Sequence, residues 1–459
     1  LAEHGQSPIR VFRRRGIDRM RVIFDDQTPP VVFNVAHIDL YFFYDIDIII
    51  LAVEFFTNDL PLLLAQESLF KLGRAYPAFW EANGQGGQCP RQVEWLSAAG
   101  ETLAVSNYQN RHQYLPFVAQ HHSPNIAAHW EYLLRPLALY HSDHEGVMLY
   151  RQVEYHRMPL LAYLSFDDPH VLTRGDFARL ALNTKPGSSD TLPYSERELA
   201  EFEQKYCYDK FWDPLSPTFS SRYLCCGHAF VMVGKASERF FTDPDAGLLG
   251  QFRHQYFLVN LIAHFHKATL MLFSEWLAAA ISQLDIRDVD SVKDFKREIR
   301  RVMETFLRFT HRYWFHEVSN QAQVRDLFRM LTHHLDTDRI YQDVSAEVKE
   351  MNQYLDSDSL RRQANTVVRL TVVTTLGLIA TVSTGFLGMN IFDETSNPVS
   401  VKLLIFTLVL IPSILLVNYA VANAKVLSDF LEALANERLT WWDRSKVLLR
   451  IWWKPRRKP

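Results

Sequence analysis

Leu370 to Leu387 is a run of the chain without a single charged residue, and Leu403 to Ala424 is a second. At 1.5 Å per residue the first run is barely long enough to cross the ~30 Å hydrocarbon core of a bilayer as a helix. The loop between the runs is short and polar, which predicts a transmembrane hairpin with Gly388-Met389-Asn390 where the first span reaches the far side. With ~100° per residue, Val367, Leu370, Thr374, Leu378, Thr381, Gly385 and Gly388 fall in a stripe roughly 80° wide. Gln363 and Asp356 continue the same face backwards. Small and hydroxyl-bearing residues suit a face where membrane helices touch. They suit equally an aqueous path ringed by several copies of the helix.

Upstream, Asp336-Thr337-Asp338 offers a helix cap, and no Pro or Gly follows until Gly377. That predicts one continuous helix of roughly 50 residues, ~75 Å long, running into the first span. A helix of that length needs a bundle, most simply made with other copies of the chain.

Gly388-Met389-Asn390, placed after a long helix and at the end of the first of two C-terminal spans, resembles the GMN signature of the CorA-type divalent-cation channels in the two-transmembrane GxN superfamily. The close resemblance covers about the last quarter of the chain; upstream only the architecture is compatible. Relatives often carry Tyr before the tripeptide and an aromatic after it, where this chain has Leu387 and Ile391. Their acidic Met-Pro-Glu-Leu loop is replaced by Ile391-Phe392-Asp393-Glu394-Thr395-Ser396-Asn397-Pro398. Both departures bear on the choice of ion more than on the fold. The resemblance implies a CorA-like funnel-shaped homopentamer with an α+β cytosolic domain, a long helical stalk and two C-terminal transmembrane helices, in a bacterial inner membrane. It assigns Gly388, Met389 and Asn390 to the outer mouth and selectivity ring, and allows intracellular ion to regulate gating.

The physical chemistry of the residues fits that assignment. Hydrated Mg²⁺ releases its water reluctantly, so neutral oxygens at the right distance can select it with its shell intact. A ring of Asn390 amides presents such oxygens, and Gly388 permits close approach and a helix end. Thr381 and Thr374 would add hydroxyl rings. Leu378, Leu370 and Val367 would form dry constrictions, and Asp356 a cytosolic acidic ring. Asp393 and Glu394 either concentrate cations at the mouth or belong to a solvated loop. Expected partners are further copies of the chain, membrane lipid and the transported ion: Mg²⁺ first, with Zn²⁺, Co²⁺ or Ni²⁺ as alternatives, and no resident cofactor. A ZntB-like, proton-coupled Zn²⁺ transporter and a non-conducting membrane-anchored sensor or scaffold are the competing readings.

Composition narrows the field further. A formal net charge of −3 lacks the basic excess of a dedicated nucleic-acid binder. No nucleophile elbow, P-loop or zincin motif is present, so an enzyme is not expected. Arg10, Arg13, Arg14 and Arg15 precede no apolar core, so no secretory signal is expected. Cys89, Cys207, Cys225 and Cys226 form no CxxC pair and are expected as reduced thiols. The pairs His121-His122 and His333-His334 are candidate transition-metal ligands, with surface or core histidines as the plainer reading. Arg361, Arg362 and Arg369 precede the first span, and Lys425 and a Trp-rich basic tail (425–459) follow the second, which predicts both termini on the cytosolic side.

Residues 1–245 read as a mixed α/β domain. A hairpin is predicted over His37–Tyr44 and Ile48–Phe56, helices over Leu60–Leu72, Arg174–Leu182 and Glu196–Tyr206, and one strand over Tyr223–Val233. Residues 246–335 read as helical. Phe257–Ile281 is expected as a packed helix because His264, His266, Lys267 and Glu275 interrupt it. Asp290–Val318 carries the stripe Phe295, Ile299, Val302, Phe306 and Phe309. The remaining segments are 336–366 as stalk, 367–387 as the pore-lining span, 388–400 as the external loop and 401–424 as the second span.

Overall fold

A computed structural model describes residues 9–74, 89–107, 126–139, 148–153, 157–188, 192, 194–285, 289–388 and 398–401, with 404, 407, 408, 411, 412 and 415. The chain divides into two compact units, Leu1–Lys349 and Glu350–Pro459.

Unit 1 is α+β. Strands β1 (Ile9–Arg14), β2 (Arg19–Ile23), β3 (Val31–Phe43), β4 (Ile48–Phe56), β5 (Gln92–Leu96) and β6 (Thr102–Asn107) form one antiparallel sheet. The long β3 is its spine. One edge of β3 is shared by β2 along 31–34 and β1 along 38–43, and β4 takes the other edge. The predicted hairpin is therefore present, turning through Asp45 to Asp47, with Asp47 in the left-handed region at φ 56°. Helix α1 (Leu62–Leu72) follows it, and a short α2 (Ala128–Leu134) comes after β6. One hydrophobic core joins Met20, Val22, Phe33, Val93 and Trp95 of this sheet to Trp130, Leu133 and Leu134 of α2.

After a two-residue parallel pair, β7 (Ala138–Leu139) with β8 (Leu149–Tyr150), comes a second sheet. It contains β9 (Leu160–Phe166), β10 (Cys207–Tyr208), β11 (Arg222–Cys225) and β12 (Ala229–Lys235), in the order β10-β11-β12-β9. Its β12–β9 pair is parallel and the others antiparallel. The single strand expected over Tyr223–Val233 is thus a hairpin. Gly227, at φ +87°, lets the chain reverse in a conformation other residues avoid. Period-two alternation splits the sheet's side chains between two cores. Leu224, Val231 and Val233 pack with α3 (Arg174–Leu182) and α4 (Glu196–Tyr206). Tyr223, Cys225, Phe230 and Met232 face the helices that follow β12.

Those helices are α5 (Phe257–Ser282), α6 (Val289–Arg312) and α7 (Ala322–Leu335). With the turns that lead into it, Leu248–Ser282 is long and apolar enough to cross a membrane, and half of its most apolar stretch is buried within unit 1. Its polar residues have partners there: His266 Nε2 meets the Tyr313 carbonyl at 2.6 Å, and Glu275 pairs with Arg151. The α6 stripe read from sequence is its buried face, with Phe295, Ile299, Val302, Phe306 and Phe309 all in the core.

Helix α8 (Thr337–Gly388) is a single helix of 52 residues, ~78 Å long at 1.5 Å per residue. Asp336, left-handed at φ 58°, closes α7, and the fully buried Thr337 opens α8. Val344 and Val348 are buried on the α8 turns that follow. Leu370–Leu387 forms the last third of this helix. Beyond it, Val399–Val401 and the described positions from 404 to 415 are helical as well.

Candidate functional site

Thr374, Thr381, Gly385 and Gly388 lie exposed on α8 together with Val367 and Leu370, which are 61% and 63% exposed in the single chain. Half a helical turn away the surface is reversed. Val372 and Leu376 are 2% and 6% exposed, and Val368 and Ala380 are half-buried. The spacing 368, 372, 376, 380 marks a buried aliphatic ridge opposite the stripe, so the part of α8 in unit 2 has two distinct faces. Asp356 and Gln363 are also exposed. Leu378 belongs to the helix, but its side chain is outside the described set, as are Met389, Asn390, Asp393 and Glu394 in full. The basic tail 425–459 and the pair His121-His122 likewise lie outside the described residues.

Each threonine on the stripe spends its proton on its own helix. Thr374 Oγ1 donates to the Leu370 carbonyl at 2.9 Å, and Thr381 Oγ1 to that of Gly377 at 2.8 Å. Such back-bonding four residues down satisfies the only donor of a hydroxyl. What remains outward is lone pairs, and these accept hydrogen bonds from water. A cation's hydration shell turns its hydrogens outward, so a line of such oxygens suits a hydrated cation better than an anion. Two residues absent from the sequence reading extend the pattern: Thr371 donates to Val367 at 2.9 Å and Thr384 to Ala380 at 3.0 Å. Both are exposed beside the stripe. Their signal in the sequence is a Thr-x-x-Thr pair, 371/374, repeated at 381/384.

Of the pair His333-His334, the second has structural partners. His334 Nε2 lies 2.9 Å from the Lys205 carbonyl and its ring packs on Tyr206. Cys225 is buried, and burial pushes its thiol up to about 12. Among the described residues no group of three or more His, Cys, Asp or Glu side chains is arranged to hold a metal ion.

No family model matches the chain, and no curated protein matches it.

Proposed function

We propose that the chain is a membrane channel for divalent metal cations, with Mg²⁺ favoured, assembled from several copies around the α8 stripe. The observation that carries this reading is the pairing of an outward line of acceptor hydroxyls with an opposite buried aliphatic ridge on one helix. A helix that packed against lipid or a neighbour on all sides would gain nothing from segregating its oxygens in this way. In the assembly, Thr374 and Thr381 line an aqueous path, and Val367, Leu370 and Leu378 narrow it. Asn390 at the GMN tripeptide selects hydrated ions at the outer mouth, and Asp393 and Glu394 draw cations towards it. By resemblance to the CorA-type channels the assembly is a homopentamer with both termini of each chain on the cytosolic side.

Ion flux into liposomes containing the purified protein tests the reading, with Mg²⁺, Zn²⁺, Co²⁺ and Ni²⁺ compared with and without a pH gradient. Mg²⁺ flux that ignores the gradient and is changed by Asn390→Ala is the expected result. Zn²⁺ flux that follows the proton gradient replaces the channel with a coupled transporter. No flux of any ion from folded, oligomeric protein leaves a membrane-anchored scaffold.

A further inference from the structure

One end of the second sheet presents apolar side chains to solvent. Strands β9 and β12 are parallel, and β10 runs the same way because β11 is antiparallel to both β10 and β12. Three segments therefore emerge together: 167–173 after β9, 209–221 between β10 and β11, and 236–247 after β12. Val171, Leu215, Phe219 and Phe240 stand exposed on them, Leu215 at 92% and Val171 at 72%. Hydrogen bonds tie the segments to one another. His170 Nε2 lies 3.2 Å from the Asp213 carbonyl, and its ring stacks on Trp212 at 4.6 Å. Ser220 Oγ donates to Glu238 Oε2 at 3.2 Å.

Leu215 is held in place despite its exposure. Its amide donates to Asp213 Oδ1 at 2.9 Å. The Ser216 amide donates to the Asp213 carbonyl, and the Asp213 amide to the Phe219 carbonyl, each at 3.2 Å. Pro214 and Pro217 fix φ on either side. At the base of the loop Trp212 stacks on His170 and carries the Arg222 guanidinium 5.6 Å from its ring. An apolar side chain displayed on a pinned loop contributes nothing to the core of the fold, and it loses little freedom when a partner covers it. Grouped exposed apolar side chains with a polar rim mark interaction surfaces.

The rim is mostly of one sign. The three segments carry Asp167, Asp168, Asp213, Glu238, Asp243 and Asp245 against Lys210 and Arg239. Among the described residues none of these six carboxylates forms an ion pair with Lys or Arg; Lys235 acts on Asp168, and Arg239 on Asp243, only at longer range. The amide and ring of His170 hold Asp168 below the usual carboxylate range, and the amides of Asp245 and Ala246 do the same for Asp243. This rim repels an anionic lipid surface. A second copy meeting it through the same face would set like charges against each other. A cationic partner gains from it on both counts.

We propose that this end of the sheet docks a partner protein through a basic segment bearing apolar side chains, which cover Leu215 and its neighbours while Lys or Arg meets the acidic rim. The surface lies within unit 1 and does not rest on the channel reading.

Surface plasmon resonance on the full-length protein held in phosphatidylcholine nanodiscs, with empty nanodiscs subtracted, tests the proposal. The probe is a short amphipathic peptide of Leu, Trp and Arg, and the control is the same peptide with Glu in place of every Arg. Saturable binding of the Arg peptide is expected, with none for the Glu peptide. Leu215→Ser should weaken it about tenfold or more, as loss of a central anchor does. Glu238→Gln combined with Asp245→Asn should weaken it several-fold and reduce its salt dependence. All three positions are exposed, so the variants keep the fold. No binding, equal binding of the two peptides, or binding unchanged by Leu215→Ser overturns the proposal. A smaller assembly in Leu215→Ser overturns it in favour of a second copy, and attachment to phosphatidylglycerol vesicles that Leu215→Ser abolishes overturns it in favour of lipid.

Discussion

Trp314 lies flat against Tyr341, with ring centroids 4.4 Å apart and planes 15° from parallel. Tyr341 sits on the second turn of α8, and Trp314 follows α6, so the stack seats the base of the long helix in unit 1. Phe306 extends the seat at 5.7 Å from Tyr341, and His266 of α5 lies 4.7 Å from Trp314. Val344 and Val348 then continue the buried line along α8.

Truncating this seat is expected to loosen unit 1. Trp314→Ala should lower stability by about 3 kcal/mol, in the range for removing a large aromatic from a packed site. Trp314→Phe should restore most of the loss. Denaturant unfolding of Trp314→Ala, Tyr341→Ala and the double variant should give a coupling of about 1 kcal/mol beyond the separate effects. Strict additivity would mean that the two rings do not hold each other and that α8 is seated by its valines alone.

Histidine burial gives unit 1 an acid-side weakness. His266 is 1% exposed, and burial holds it down to about 4. Its Nε2 proton points at the Tyr313 carbonyl, 2.6 Å away. In the unfolded chain the same group titrates near 6.5. Between about 6.5 and 4 the unfolded state therefore binds the extra proton. Its contribution to stability is fully present above about 6.5 and is lost as pH falls, by up to about 1.4 kcal/mol per pH unit. His228 and His264 act in the same direction, so the comparison must be made by variant. His266→Gln, which keeps an N–H donor, should flatten the loss of stability between pH 7 and 5 in urea unfolding. A slope identical to wild type would show that His266 is not held neutral in the fold.

Local pattern carried much of this architecture. Helices α3 and α4 were legible as short helical runs, and the structure adds their caps: Thr173 and Asp176 form a reciprocal capping box, and Ser195 accepts from the Glu198 amide. The α6 stripe and the unbroken run into α8 were legible for the same reason, since periodicity and the absence of Pro and Gly act over a few turns. What stayed hidden depends on residues far apart in the chain. Strands β1 and β2 share one edge of β3, and Asp45 accepts hydrogen bonds from Arg312 Nη1 at 2.6 Å and the Tyr313 hydroxyl at 2.9 Å. Neither relationship has a local signature. The β11–β12 turn was hidden for the opposite reason: Cys226-Gly227-His228 is a short interruption inside a run apolar enough to pass for one strand. On the candidate site, spacing placed Thr374 and Thr381 on one face but left open what that face does. The direction of their protons is set by the carbonyls four residues back, once the helix has formed.

The two faces of α8 make the sharpest prediction. Thr374→Cys and Thr381→Cys place a thiol on the exposed stripe, and Val372→Cys and Leu376→Cys place one on the buried ridge. A small, charged, water-soluble thiol reagent reacts through the thiolate, which forms readily only where water reaches. In the assembled protein the two threonine positions should be modified, with ion flux falling several-fold as each added charge enters the path. The ridge positions should resist modification and leave flux unchanged by the reagent. Native Cys89 and Cys225 are buried and Cys207 and Cys226 half-buried, with burial raising both of the latter thiols, so labelling of the parent protein is measured first and subtracted from that of the four variants. Prior addition of Mg²⁺ should slow modification at Thr374→Cys and Thr381→Cys, because an ion held by the hydroxyl line competes for the same space. Equal labelling of both faces would remove the aqueous path from α8, and labelling of the ridge alone would place that path on the opposite side of the helix.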